Sequence, residues 1–211
     1  MADRRKFSRK SGFRDSKLIV IAAEGRKTEK IYFDSIKEYY QNPRVHVEVL
    51  ERIDSSSDPD RVLKSLDQFY KTYDLRKKQD QLWLVIDVDR WGNKKLASVS
   101  KMCLQKKYRL AVSNPAFEIW LLMHIRALET YSPIELEEFK LNQKIGERTR
   151  LELELLNLLG SYNKINPDMN FFNQHIYTAI LNSQNSDCNP EERWPNGLGT
   201  RVYLLAREIV L

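Results

Sequence analysis

Three acidic residues stand where buried strands should end. Glu24 closes the apolar run Lys17-Leu18-Ile19-Val20-Ile21-Ala22-Ala23, and Asp87 and Asp89 follow the run Leu82-Trp83-Leu84-Val85-Ile86. The aspartates lie 63 and 65 residues beyond Glu24, yet an open α/β sheet binds its ligands at the carboxyl ends of its strands, so the three can converge. Asp87 and Asp89 share one face of an extended chain. Carboxylates gathered at one point repel, and a hard cation, Mg2+ or Mn2+, is the usual counterweight. Such a cation keeps water and takes up phosphate oxygens, which is the chemistry of phosphodiester cleavage or transfer. Asp is also a common turn and cap residue past strand ends, so the acid-glycine after one strand and the Asp-x-Asp after another carry the reading jointly. The turn Gly25-Arg26-Lys27-Thr28 adds two basic side chains and a helix amino terminus, both attractive to phosphate and both compatible with an ordinary connection.

The elements that must position these residues follow from hydrophobic period. The two uninterrupted apolar runs suit strands buried on both faces of a parallel sheet, whereas Arg44–Leu50 alternates, with Val45, Val47 and Val49 on one face. Helical spacing runs from Thr28 to Tyr40 and again after Asp58-Pro59, where an Asp cap precedes a proline at the first helical position. A short helix over 94–104, a strand over 108–113 and a helix start at Asn114-Pro115 complete a βαβαβαβα order, which predicts a doubly wound, mostly parallel α/β core over 17–127. Beyond it the pattern predicts only helices, over 132–140, 147–159, 170–183 and 199–210, with a capping box at Ser132-Pro133-Ile134-Glu135. Residues 128–211 read as a helical layer on the core, and no further strand is expected.

Composition narrows the function classes. The 211 residues are 42% hydrophobic and 10% aromatic with 14 Gly plus Pro, which excludes collagen-like and wholly disordered chains. Net charge is +6, but residues 1–17 hold seven basic residues against Asp3 and Asp15, so five of those charges belong to an amino-terminal arm, residues 1–16 with Lys17. Such an arm is either a solubilising tail or a segment that touches phosphate backbones. Cys103 and Cys188 stand far apart without a CxxC or CxxH neighbour, which argues against a zinc site or a disulfide framework. The arm lacks the apolar stretch of a secretory signal and no run is long enough for a membrane span, so a soluble, cytoplasmic protein is expected. A P-loop fails because glycines would be needed where Ile21 and Arg26 stand. His124, beside Trp120 and Leu121, reads as a hydrogen-bonded core histidine.

Three segments resemble the RloB-like family: Ala23-Glu24-Gly25-Arg26-Lys27-Thr28-Glu29-Lys30-Ile31-Tyr32-Phe33, Val85-Ile86-Asp87-Val88-Asp89-Arg90, and Ser113-Asn114-Pro115-Ala116-Phe117-Glu118-Ile119-Trp120 through His124. The tail Pro195-Asn196-Gly197-Leu198-Gly199-Thr200-Arg201-Val202-Tyr203 is similar to that family's closing segment. The resemblance implies a TOPRIM-like fold, Mg2+ held by Glu24, Asp87 and Asp89, and a nuclease that cuts DNA or RNA in defence against phage, by abortive infection, with an ATPase as a possible partner. It also points to Glu118 as a site residue. Independently, Asn114 and Pro115 would cap and start a helix whose first turn holds Glu118, where the dipole favours a carboxylate, so a structural role stays open. Glu29 is expected to complement a helix dipole. The basic group such a nuclease needs near the scissile phosphate could be Arg26, Lys27, Arg90, Lys94 or Lys164, and Arg201 is a further phosphate-binding candidate with a solvated helix charge as its alternative. Two other functions share these acids: a non-catalytic metal- or nucleotide-binding effector controlled by a partner ATPase, and a primase-type nucleotidyl transferase.

Overall fold

Alternation along the strands decides the layering. In the computed structural model, which describes residues 16–25, 27–51, 58–76, 78–88 and 91–211, the strands β1 (Lys17–Ala23), β2 (Val45–Val49), β3 (Gln81–Asp87) and β4 (Arg109–Asn114) are parallel, in the spatial order β2-β1-β3-β4. The connections are α1 (Thr28–Tyr40), α2 (Pro59–Thr72) and α3 (Asn93–Lys106). Leu18, Val20, Ala22, Leu84, Ile86 and Val112 turn to one face, packed under α2 and α3. Ile19, Ile21, Ala23, Trp83, Val85 and Ala111 turn to the other, packed with Tyr32, Phe33 and Ile36 of α1. Central β1 and β3 therefore need apolar side chains at every interior position, while β2 at the edge leaves His46 and Glu48 only partly covered.

Local signals set the helix ends. The Asp58 side chain accepts from the Asp60 backbone N–H ahead of Pro59, and Ser132 and Glu135 close their box at the start of α5 (Pro133–Leu141). A second box, Thr149 with Glu152, opens α6 (Arg150–Leu159).

The carboxy-terminal third departs from the expected all-helical pattern. A hairpin of β5 (Lys144–Ile145) and β6 (Arg148–Thr149) turns at Gly146, whose φ of +66° suits glycine. A fifth strand, β7 (Gly199–Thr200), joins the sheet antiparallel to β4, pairing Ser113 with Thr200 and Asn114 with Gly199. Two-residue strands carry no hydrophobic period; the open edge of β4 selects this segment. The helix expected at Pro115 starts later, as α4 (Glu118–Met123), because Asn114 is spent as the last residue of β4 and its amide donates to the Pro195 carbonyl at 2.9 Å. The segment expected as one helix over 170–183 is two, α7 (Met169–Gln174) and α8 (Ile176–Ser186), broken at His175. The last helix is α9 (Val202–Val210).

These helices share a core with the sheet. Phe139, Leu151, Leu155, Phe172, Ile176, Val202 and Leu205 belong to the same apolar cluster as Ile19 and Trp83. Inside it His124 is buried; Nδ1–H donates to the Trp120 carbonyl, so Nε2 accepts from the Tyr32 hydroxyl, each at 2.9 Å. Burial pulls the His124 imidazole down to about 3, neutral as a core histidine should be. No described helix is long and apolar enough to cross a membrane. The amino-terminal stretch 1–15 lies outside the described residues.

Arg201 ties this layer to the sheet. It is neither a solvated helix charge nor available for phosphate: its guanidinium is buried, pairs with Asp187 at 2.9 Å and donates to the carbonyls of Asn189 and Glu192. The Tyr203 hydroxyl also donates to Asp187, at 3.0 Å. Removing one partner leaves the other charge buried and uncompensated, so Arg201→Ala should cost about 3–5 kcal/mol in urea unfolding, with Asp187→Ala of similar size and the double variant well short of their sum.

Candidate active site at the sheet switch point

The chain winds outward from β1 to β2, then crosses back to β3, so winding reverses between β1 and β3. An open α/β sheet has its ligand crevice at such a point, at the carboxyl ends of the strands, and both neighbouring strands run into acids here. Glu24 continues the β1 pairing, its backbone N–H donating to the Val85 carbonyl at 2.9 Å. Its carboxylate is buried and oriented by the Asp87 backbone N–H at 3.2 Å and by the Trp91 indole N–H at 3.1 Å from both oxygens. Asp87 is the final residue of β3 and stays partly exposed. Asp89, Arg90 and Arg26 lie outside the described residues. Among the described residues no three His, Cys, Asp or Glu side chains are grouped to hold one metal ion.

A further set of carboxylates gathers beside this pair. Glu118, the first residue of α4, is buried, and so are Glu29 in the first turn of α1 and Glu152 in the first turn of α6. Lys164 reaches among them, its ammonium 2.5 Å from Glu118 and 3.1 Å from Glu152. The Thr28 hydroxyl holds the Lys164 carbonyl at 2.8 Å, so the start of α1 fixes the loop that carries the lysine. Burial works against the Lys164 charge, but the two glutamates more than offset this and hold the ammonium above its ordinary range. The Tyr162 hydroxyl is buried without a hydrogen-bond partner among the described residues, and burial followed by Glu118, Glu152 and Glu29 pushes its proton loss well up.

Glu29 is more than a dipole-complementing acid. Its carboxyl folds back over Gly25, where an added Cβ would sit 1.7 Å from one of its oxygens, so the glycine makes room for it. Burial, then the nearby negative charges of Glu118 and Glu24, pushes this carboxyl up to about 7. One lysine thus serves several buried carboxylates, and Glu29 relieves the surplus by holding a proton.

The structure brings together Glu24 and Asp87, and Glu118 and Lys164. Lys164 is engaged by two carboxylates, so a phosphate would have to compete with both. Lys27 is exposed at the amino end of α1. Sequence reasoning missed Glu152 and Trp91. The Thr149-x-x-Glu152 spacing signals a capping box, but nothing in it points to a lysine ligand; Trp91 carries no signal of its own.

A model of the RloB-like protein family matches residues 19–209, from within β1 to within α9. The chain belongs to the RloB-like family. Every acid described above and Lys164 lie inside the matched span of this RloB-like chain, and the basic amino-terminal arm lies outside it. Neither the curated proteins nor the solved structures searched contain a match.

The Glu29 shift has a definite sign. Its folded value of about 7 exceeds the ordinary 4.5, so the folded state holds a proton that the unfolded chain has lost. Stability from this group is full below the ordinary value and lost as pH rises towards about 7. Glu29→Gln imitates the protonated form at every pH. In chelator-containing buffer its melting temperature relative to wild type should rise between pH 5 and pH 8; a constant difference would contradict the assignment.

Proposed function

We propose that the chain is a Mg2+- or Mn2+-dependent nuclease with a TOPRIM-like core, acting on DNA or RNA in the cytoplasm as an anti-phage effector. The observation that carries this reading is the set of buried carboxylates at the switch point, with Glu24 held ready by two N–H donors. Glu24 and Asp87 are hard oxygen donors, two where a divalent cation takes several, so the fit needs Asp89 as well. Glu24 and Asp87 would hold it together with Asp89. A bound ion would stabilise charge on the phosphate oxygens and lower the pKa of an attacking water.

The chain's own residues prepare the site. Trp91 and the Asp87 N–H keep the Glu24 carboxylate in one orientation, so no side-chain rearrangement is needed there. Lys164 fixes Glu118 beside the crevice as a fourth acid. Lys27, with Arg26 and Arg90 next to the acids in sequence, supplies positive charge for the phosphate. The defence role and a partner ATPase rest on the resemblance to the family.

A second reading is favoured by one observation: Lys164 and the protonation of Glu29 already relieve much of the negative charge. That suits an effector which binds metal or nucleotide without cutting until a partner ATPase releases it.

Purified protein should cut single- or double-stranded substrates only with Mg2+ or Mn2+, and Asp87→Ala should lower the rate by roughly a hundredfold or more while leaving the melting temperature nearly unchanged. Cutting that survives Asp87→Ala would overturn the nuclease reading. If wild type cuts nothing yet arrests growth on expression, and Asp87→Ala arrests growth equally, the effector reading stands instead.

A further inference from the structure

The opposite end of the sheet has the opposite charge. A cleft of about 850 Å3 opens at the amino ends of β1, β2 and β4, bounded by α9, roughly one strand length, about 20 Å, from the carboxylates. Among the described residues its charged side chains are Lys17, Arg44, Arg109 and Arg207 against one acid, Glu208. Lys17 and Arg109 both pair with Glu208, the arginine at 2.9 Å. Burial alone would raise the Glu208 carboxyl, but Lys17, Gln81 and Arg109 hold it below its ordinary range, so it stays ionised and both cations stay engaged.

Arg44 and Arg207 are left over. Both are exposed, and neither guanidinium pairs with any described residue. Two unmatched planar forks on one cleft suit an anion of about two charges with several oxygens, as a phosphate monoester is. Val45, Leu110 and Leu204 add apolar lining, and the Arg109 guanidinium lies over the buried Trp83 ring at 5.4 Å. An arginine plane over an apolar floor is a surface on which a flat base stacks, and the volume lies within the range of small-ligand sites.

We propose that this cleft binds a phosphate ester carried on a flat ring body, the chemistry shared by a free nucleotide and by the phosphorylated end of a nucleic-acid strand. It is separate from the acidic crevice and does not depend on the nuclease reading. A strand end held there would keep the substrate on the protein without contacting the acids. A free nucleotide would make it a ligand-sensing site.

The test uses the full chain in EDTA, so that no divalent cation occupies the acidic crevice. Adenosine 5′-monophosphate is titrated calorimetrically, and a fluorescent, 5′-phosphorylated octanucleotide by anisotropy. Binding of the mononucleotide identifies a free nucleotide as the source; binding of the octanucleotide alone identifies a strand end. In either case Arg44→Ala with Arg207→Ala should weaken binding by roughly tenfold to a hundredfold, and for the octanucleotide lower the salt slope by about one to two. Glu208→Gln, which frees Lys17 and Arg109, should tighten binding. Asp87→Ala should leave the affinity for either probe as it is while still lowering any cutting, which separates this site from the nuclease reading. The proposal falls if neither probe binds at millimolar concentration, if the double arginine variant binds as wild type does, or if Glu208→Gln weakens binding.

Discussion

A lysine that links the starts of three helices holds the acidic end of this protein together. Lys164 bridges Glu118 and Glu152, and its backbone is tied to Thr28 at the start of α1. Buried carboxylates this close are tolerable only with a cation among them or with some of them protonated. Both remedies are present: the lysine takes two of the glutamates, and Glu29 keeps its proton up to about pH 7. The start of α1, the start of α4, the start of α6 and the loop carrying Lys164 are therefore fixed relative to one another by charge as well as by packing. The helical layer takes part in the site it covers.

The rest of the fold serves that arrangement through polarity. Parallel strands place all their carboxyl ends on one side, and β1 and β3 both end there on acids. At their amino ends stand Lys17, Arg44 and Arg109. A chain whose charge outside the arm is nearly balanced is thus acidic at one end of its sheet and basic at the other. Net charge would have suggested a uniformly basic surface; its distribution is the more informative quantity.

Much of the core was legible beforehand. The runs around Ile19–Ala22 and Leu82–Ile86 are apolar at every position because both faces of their strands are covered, and the alternation of Val45, Val47 and Val49 marks a strand with one apolar face, which the structure places at the edge. Caps at Asp58 and Ser132 lie where residue type placed them, since a cap is made within a few residues. Asn114 was misread for the same local reason: as a capping type before proline it signalled a helix, but β7 and the Pro195 carbonyl claimed it from more than eighty residues away. Arg201 was misread likewise, because its partner Asp187 belongs to a loop whose path no local pattern encodes.

By itself the sequence determined the layered α/β core, the acids at the ends of two buried strands, and membership of the RloB-like family. These depend on period, residue type and short motifs, which act within one element. Only tertiary structure decided that Glu29 and Glu152 join Glu118, that Lys164 is shared between two of them, and that two arginines without an ion-pair partner among the described residues face a cleft at the far end of the sheet. Those outcomes depend on desolvation, on charge pairing between separate elements such as that of Glu118 with Lys164, and on long-range hydrogen bonds such as that of Thr28 to the Lys164 carbonyl. Such terms arise only when the chain is packed.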